Sequence, residues 1–382
     1  MSAPVPNPLL ELRKLGQSAW LDDISRRMLR EGSLARLIRD DGIAGLTSNP
    51  AIFGNAITTD PEYAQPIAQL LPTCSSSLAL YEELAIEDLR AAAALLRPLY
   101  DSSSGGDGFV SMEVSPHLAY DGPGSLSEAR RLWERLQLPN ALIKIPGTEA
   151  GLPVIRDLIA AGINVNVTLL FSPERYRAVV RAYMAGLEAR SAAGQPLGTV
   201  ASVASFFLSR IDTLLDPQIE KVAQAGGPKG EIAKGLPGTV AVANAKLAYE
   251  KYEILSRSER WKKLTAKGAR PQRLLWASTS TKNPKYSDTM YVEPLIGPDT
   301  VNTMPMETVD AYRDHGKPAS RITEELAAAK RNIAQLKEVG IDLAAAAKQL
   351  EDEGVKKFVD PFDKLLASLE SKRKAVLAGA NA

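Results

Sequence analysis

The chain has 382 residues, 45% hydrophobic and 24% charged, enough for one large α/β barrel or two medium domains. Its 46 basic and 45 acidic side chains leave a net charge of +1, no field for nucleic acid or an anionic membrane, so a small-molecule substrate is expected. One cysteine, Cys74, excludes an intramolecular disulfide, and with two histidines it leaves too little for a zinc cluster, so the expected chemistry is organic and needs no metal or other cofactor.

Residues 1–15 read as an N-terminal extension, Pro-rich at first and then a short amphipathic helix from Leu9 to Leu15. There is no basic and apolar leader and no run of about 18 apolar residues, so the cytoplasm is the expected compartment. The first strand is expected at Ser18 to Asp22, followed by a helix capped by Asp23 or Ser25, and the second at Gly42 to Leu46. Helix is expected between Asp60 and Tyr100, then a loop at Ser102 to Gly108 and a strand from Phe109 to Val114. A helix from Ser125 to Leu136 leads to a strand around Lys144, and a helix from Thr148 to Ala161 leads to Ile163 to Leu170. After a helix from Ser172 to Ala193, the sixth strand falls at Thr199 to Ser205. Asp212 to Arg270 reads as two or three helices broken at Gly226 to Gly235, and the last strands fall at Arg273 to Ser278 and Val301 to Met304. From Arg321 onward the pattern is amphipathic helix, expected to pack on the outside.

Eight short strands alternating with helices predict an α/β protein built as a single (β/α)8 TIM barrel with additional C-terminal helices. The barrel should span residues 16–320 and the C-terminal helices 321–382. In such a barrel, reacting groups stand at the C-terminal ends of the strands. Those ends carry Asp22, Thr47 and Asn49, Ser111 and Glu113, Lys144, Asn166 and Thr168, Ser205, Phe207 and Arg210, and the hydroxyl-rich run from Ser278 to Lys282.

Lys144 stands out because it sits inside the apolar run Ala141-Leu-Ile-Lys-Ile-Pro146. It is either a strand-end lysine reaching for water or an amine kept uncharged by apolar surroundings, able to attack a ketone. Glu113, in another strand-like run, needs a partner, and Lys144 on the neighbouring strand is the candidate. Asp22 need not cap a helix, since Asp23 and Ser25 are available. Glu113 and His117 are four residues apart, but Pro116 interrupts any helix that would align them on a metal. Arg210 and Lys282, with Ser205, Thr279 and Ser280, form a candidate phosphate clamp.

Taken in order, Leu46-Thr-Ser-Asn-Pro50, Ser111-Met-Glu-Val114, Leu142-Ile-Lys-Ile-Pro146 and Gly162-Ile-Asn-Val-Asn-Val-Thr-Leu-Leu-Phe-Ser172 resemble transaldolases. Trp276-Ala-Ser-Thr-Ser-Thr-Lys-Asn-Pro284 and Tyr291-Val-Glu-Pro-Leu-Ile-Gly297 resemble the longer bacterial branch of that family. The resemblance implies transfer of a dihydroxyacetone unit from sedoheptulose 7-phosphate or fructose 6-phosphate to an aldose phosphate, in the non-oxidative pentose phosphate pathway. It makes Lys144 the Schiff-base lysine and Asp22 the general base, with Glu113 and Thr168 holding a water for proton transfer. It makes Asn49 and Asn166 ligands of the dihydroxyacetone hydroxyls, with Thr47, Ser111, Phe207 and Ser278 also lining the substrate site, and Ser205 and Arg210 phosphate ligands. The better-known branch has an arginine after the seventh strand where this chain has Lys282, which supplies charge without a bidentate fork. Sugar phosphates are the expected partners, for a monomer or homodimer. Two rivals are a fructose-6-phosphate aldolase, which resembles transaldolase but is shorter and carries Gln and Tyr at the positions of Glu113 and Phe207, and a non-catalytic sugar-phosphate-binding barrel.

Overall fold

The computed structural model describes residues 7–380, with side chains through residue 375, so the first six residues of the expected N-terminal extension lie outside the described residues. Eight parallel strands close a barrel in the order β1 to β8. They are β1 Gln17–Leu21, β2 Gly45–Leu46, β3 Phe109–Glu113, β4 Ala141–Pro146, β5 Val165–Leu170, β6 Ser202–Phe207, β7 Gln272–Ala277 and β8 Thr300–Met304. Closure comes from β8 pairing with β1 over five residues, from Gln17 opposite Thr300 to Leu21 opposite Met304. The helices, in chain order, are α1 Pro8–Lys14, α2 Arg26–Arg30, α3 Ser33–Asp40, α4 Pro50–Thr59, α5 Ala64–Leu70, α6 Ser77–Ser102, α7 Gly122–Leu136 and α8 Gly151–Ala161. They continue as α9 Pro173–Ala192, α10 Ser209–Ala225, α11 Gly227–Ala233, α12 Val240–Ser256, α13 Glu259–Thr265, α14 Met306–His315, α15 Leu326–Glu338 and α16 Leu343–Ala380.

The strand-to-helix turns use a repeated local chemistry: a polar cap followed by proline, whose missing N–H costs nothing at the first helical position. Asn49 accepts hydrogen bonds from the Ala51 and Ile52 amides before α4, and Ser172 accepts from the Arg175 amide before α9. Ser25 caps α2 through the Met28 amide. Asp22 is thereby free of that duty.

Three expectations need correction. The second strand is only Gly45–Leu46 rather than Gly42 to Leu46, and Gly42, with a left-handed φ of 70°, is not extended; beside the strand the fully buried Trp20 ring leaves no room for a Cβ on Gly45, which would lie 2.4 Å from it. The interval from Asp212 to Arg270 holds four helices, since the glycine-rich stretch folds α11, where Gly230 sits so close to the Val222 and Ala223 carbonyls that a side chain would not fit freely. The last helix does not lie on the outer wall. It packs against α4, α6 and α10 and reaches β5, which brings it across the C-terminal mouth of the barrel. The reason is a stripe of apolar side chains, Leu350, Val355, Phe358, Phe362, Leu365 and Leu369, all buried.

Candidate active site

At the C-terminal ends of the strands the barrel opens into a cavity of about 880 Å³. Twelve of the sequence-predicted residues line it: Asp22, Thr47, Asn49, Lys144, Thr168, Ser205, Phe207, Arg210, Ser278, Thr279, Ser280 and Lys282. The other three, Ser111, Glu113 and Asn166, are buried behind that lining.

Lys144 lies in the middle of β4, directly in register with Glu113 on β3 and Asn166 on β5. It is 5% exposed. Its Nζ donates a hydrogen bond to the Ser48 carbonyl at 2.9 Å and lies 3.1 Å from Glu113 Oε2. That second contact is an ion pair without hydrogen-bond alignment, so both Glu113 oxygens remain without a hydrogen-bond partner among the described residues. Burial pushes the Glu113 carboxyl above the ordinary carboxylate value, against the opposing pull of Lys144. Behind the lysine, Asn166 Nδ2 donates to Ser111 Oγ at 3.1 Å and Ser205 Oγ donates to Asn166 Oδ1 at 2.7 Å, which fixes the asparagine across three strands.

Asp22 directly follows β1, on the other side of the cavity. Thr47 Oγ1 donates to Asp22 Oδ1 at 2.6 Å and is itself 2.7 Å from Thr303 Oγ1, tying β1, β2 and β8 together at the rim. Burial raises the Asp22 carboxyl above its ordinary value, while the Thr47 hydrogen bond and the Lys144 and Arg210 charges pull it down.

The third wall is cationic. Arg210, in the first turn of α10, has its guanidinium 5.0 Å from the centre of the Phe207 ring and 5.7 Å from that of Phe358. Its Nη1 is buried and unpartnered among the described residues, and burial lowers its pKa despite the carboxylates of Asp22, Glu113 and Glu353. Ser209 and Ser278 hydroxyls are 2.8 Å apart, and Lys282 hydrogen-bonds to Ser280. Two non-glycine residues here adopt left-handed backbone: Leu169 at φ 62°, within the β5 bulge opposite β6, and Ser278 at φ 56° after β7. Such conformations cost of order 1–3 kcal/mol and persist where the surroundings enforce them, often at functional sites. Thr168 Oγ1, beside that bulge, is buried and unpartnered among the described residues.

Sequence reasoning missed the contribution of α16. Leu350, Glu353, Lys357 and Phe358 all line the cavity, and Arg27, Thr303 and Glu307 join them from other elements. The spacing of the apolar residues in α16 announced a buried face, but nothing in it named the surface it covers. His117, considered and rejected as a metal partner of Glu113, instead lies 2.7 Å from Asp363 of α16.

Comparison with known proteins agrees with this geometry. The family model described as transaldolase/fructose-6-phosphate aldolase matches residues 19–369. A transaldolase 2 from a Nostoc species is 48% identical over 373 residues, covering 96% of this chain and 98% of that protein. A transaldolase from Thiobacillus denitrificans is 47% identical over 94% of this chain and 98% of its own length, and one from Thermobifida fusca is 46% identical over 94% and 96%. With a family model covering most of the barrel and relatives this similar from end to end, the chain belongs to the transaldolase/fructose-6-phosphate aldolase family.

Proposed function

We propose that the chain is a transaldolase that moves a dihydroxyacetone unit between sugar phosphates through a Schiff base on Lys144. The observation that carries this reading is the buried Lys144, 3.1 Å from a Glu113 carboxylate on the adjacent strand, at the wall of a cavity with cations at one end. An amine so placed needs a nearby group to take its proton before it can attack, and Glu113 is within reach.

In this mechanism, the phosphate of a ketose phosphate is held by Arg210, Ser278 and Lys282, whereas Ser205, expected as a phosphate ligand, donates its hydroxyl to Asn166 instead. Lys144, having given a proton to Glu113, adds to the C2 carbonyl. The carbinolamine oxygen is protonated through a water held by Glu113 and Thr168 and leaves as water, giving an iminium. Asp22 takes the C4 hydroxyl proton, the C3–C4 bond breaks, and its electron pair passes into the iminium, leaving an enamine on Lys144 and a free aldose phosphate. Asn49 and Asn166 hold the hydroxyls of the retained fragment. An acceptor aldehyde then takes up the enamine carbon, Asp22 returns its proton to the new hydroxyl, and hydrolysis of the iminium frees the product ketose and Lys144.

Relatives named transaldolase across nearly the whole chain favour transfer over simple cleavage. Each residue used here comes from one copy of the chain, so a monomer suffices for the chemistry, and we place it in the cytoplasm. Borohydride reduction with fructose 6-phosphate should leave a covalent adduct on Lys144 by peptide mass spectrometry. No adduct, or an adduct on another lysine, overturns the reading.

A further inference from the structure

We propose that Phe358, carried across the mouth of the barrel by α16, is a specificity-determining residue that keeps water from the Lys144-bound enamine, so that the fragment is passed on rather than released. This rests on the Schiff-base reading above. Phe358 is 4% exposed, and its ring centre lies 5.7 Å from Lys144 Nζ and 5.7 Å from the Arg210 guanidinium carbon. The Arg210 guanidinium is thus within reach of two rings, with Phe207 at 5.0 Å, and Phe207 in turn packs on Phe171 with centroids 5.3 Å apart. Phe358 thus sets an apolar face beside the amine, whose other close neighbours are the Glu113 carboxylate and the Ser48 carbonyl.

The helix is held closely enough for this. Gly354 faces Leu169, whose left-handed backbone places it at the β5 bulge. A Cβ on Gly354 would lie 2.9 Å from Leu169 Cδ2 and 3.4 Å from Arg210 Nη1. Farther along α16, Phe362 packs edge-on against Tyr81, with centroids 5.4 Å apart, and Asp363 bonds His117. On the other flank, Tyr120 donates to Asp352 at 2.5 Å.

The chemistry gives this wall a consequence. Once the C3–C4 bond has broken, the enamine carbon can form a bond to an acceptor aldehyde, or it can take a proton. Protonation regenerates an iminium; water then adds to its C2 carbon, the C–N bond breaks, and free dihydroxyacetone leaves with Lys144 restored. The second route consumes only water, with the proton that Asp22 acquired in the cleavage step. Both routes end in hydrolysis of an iminium, so the branch lies at the enamine carbon: an apolar ring that keeps mobile water from this carbon slows its protonation and favours the first route.

The test compares wild type, Phe358→Ala and Phe358→Leu, with fructose 6-phosphate as donor and erythrose 4-phosphate as acceptor. Each sample yields the ratio of dihydroxyacetone release to transfer, which does not depend on the fraction of enzyme folded, and each is trapped with borohydride. Phe358→Ala should raise the ratio by about tenfold, equal to ~1.4 kcal/mol in relative barrier. Phe358→Leu, which restores apolar bulk, should bring it back toward the wild-type value. Adducts on Lys144 in all three proteins with an unchanged ratio overturn the role of Phe358 and leave the Schiff-base reading standing. A leucine variant as leaky as the alanine variant overturns it too. Absence of the Lys144 adduct in wild type overturns the Schiff-base reading itself, and this inference with it.

Discussion

Glu113 and Lys144 stand directly opposite each other on adjacent parallel strands, with carboxylate and amine 3.1 Å apart and both side chains almost wholly buried. A buried pair of this kind contributes little net stability, because desolvation offsets the attraction. Its value is chemical: the carboxylate is near enough to exchange a proton with the amine, and its own affinity for protons is raised by burial. Glu113→Gln keeps the shape and removes the proton acceptor. Single-turnover trapping should show adduct formation on Lys144 slowed by about a hundredfold, within the usual range for loss of a general acid or base.

Asp22 should be visible in the pH profile. A base works when deprotonated, so kcat/KM rises as pH climbs through its pKa, and burial moves that value above the ordinary aspartate value. The acid limb of transfer should therefore lie above pH 3.8, the ordinary aspartate value. Asp22→Asn should cost about 10²- to 10⁴-fold in kcat. Retention of the same limb in the residual activity would assign it to another group.

Lys282 lines the cationic end of the cavity. In the proposed mechanism its loss removes a charge-assisted bond to the substrate phosphate worth about 1.5–3 kcal/mol, so Lys282→Ala should raise KM for fructose 6-phosphate roughly ten- to a hundredfold, with a smaller effect on kcat. Lys282→Arg should recover part of the affinity. Steady-state kinetics on the two variants decides it.

Gly45→Ala tests the barrel. The added methyl would have to displace the Trp20 ring, which is fully buried. Overpacking of this kind costs about 1–3 kcal/mol. Urea unfolding should show a lower midpoint with the slope unchanged.

Asp212 gives a stability prediction with a definite sign. Burial raises its carboxyl to about 7, although it accepts hydrogen bonds from the Ala241 amide and the Tyr291 hydroxyl. The native state therefore holds this proton where the unfolded chain has released it, and the contribution of Asp212 to stability falls as pH rises from the ordinary carboxylate value of 3.8 to about 7. Asp212→Asn mimics the protonated form. Its melting temperature relative to wild type should improve as pH is raised across that window, and thermal melts in matched buffers read the difference directly.

Much of this site is legible in the sequence for a physical reason. A lysine in Leu-Ile-Lys-Ile and a glutamate in Ser-Met-Glu-Val contradict their apolar settings, and such contradictions mark chemistry. The rule that strand ends carry the reacting groups then gathers Asp22, Thr47, Asn166 and Arg210 around them. What is not legible depends on contacts between distant segments. That Gly45 must be a glycine depends on Trp20 filling the space beside it, and the periodicity of α16 states that one face is buried without saying against what. Nothing in the sequence distinguishes Phe358 from the other apolar residues of α16, and only its placement over Lys144 gives it another meaning.

The position of α16 in the chain has a consequence for synthesis. All eight strands, with Asp22, Glu113 and Lys144 among their residues or at their ends, precede it, whereas Phe358 emerges later. At about 5–20 residues per second, several seconds separate the last strand from the helix that covers its mouth. A newly made barrel thus holds its lysine before it holds its roof.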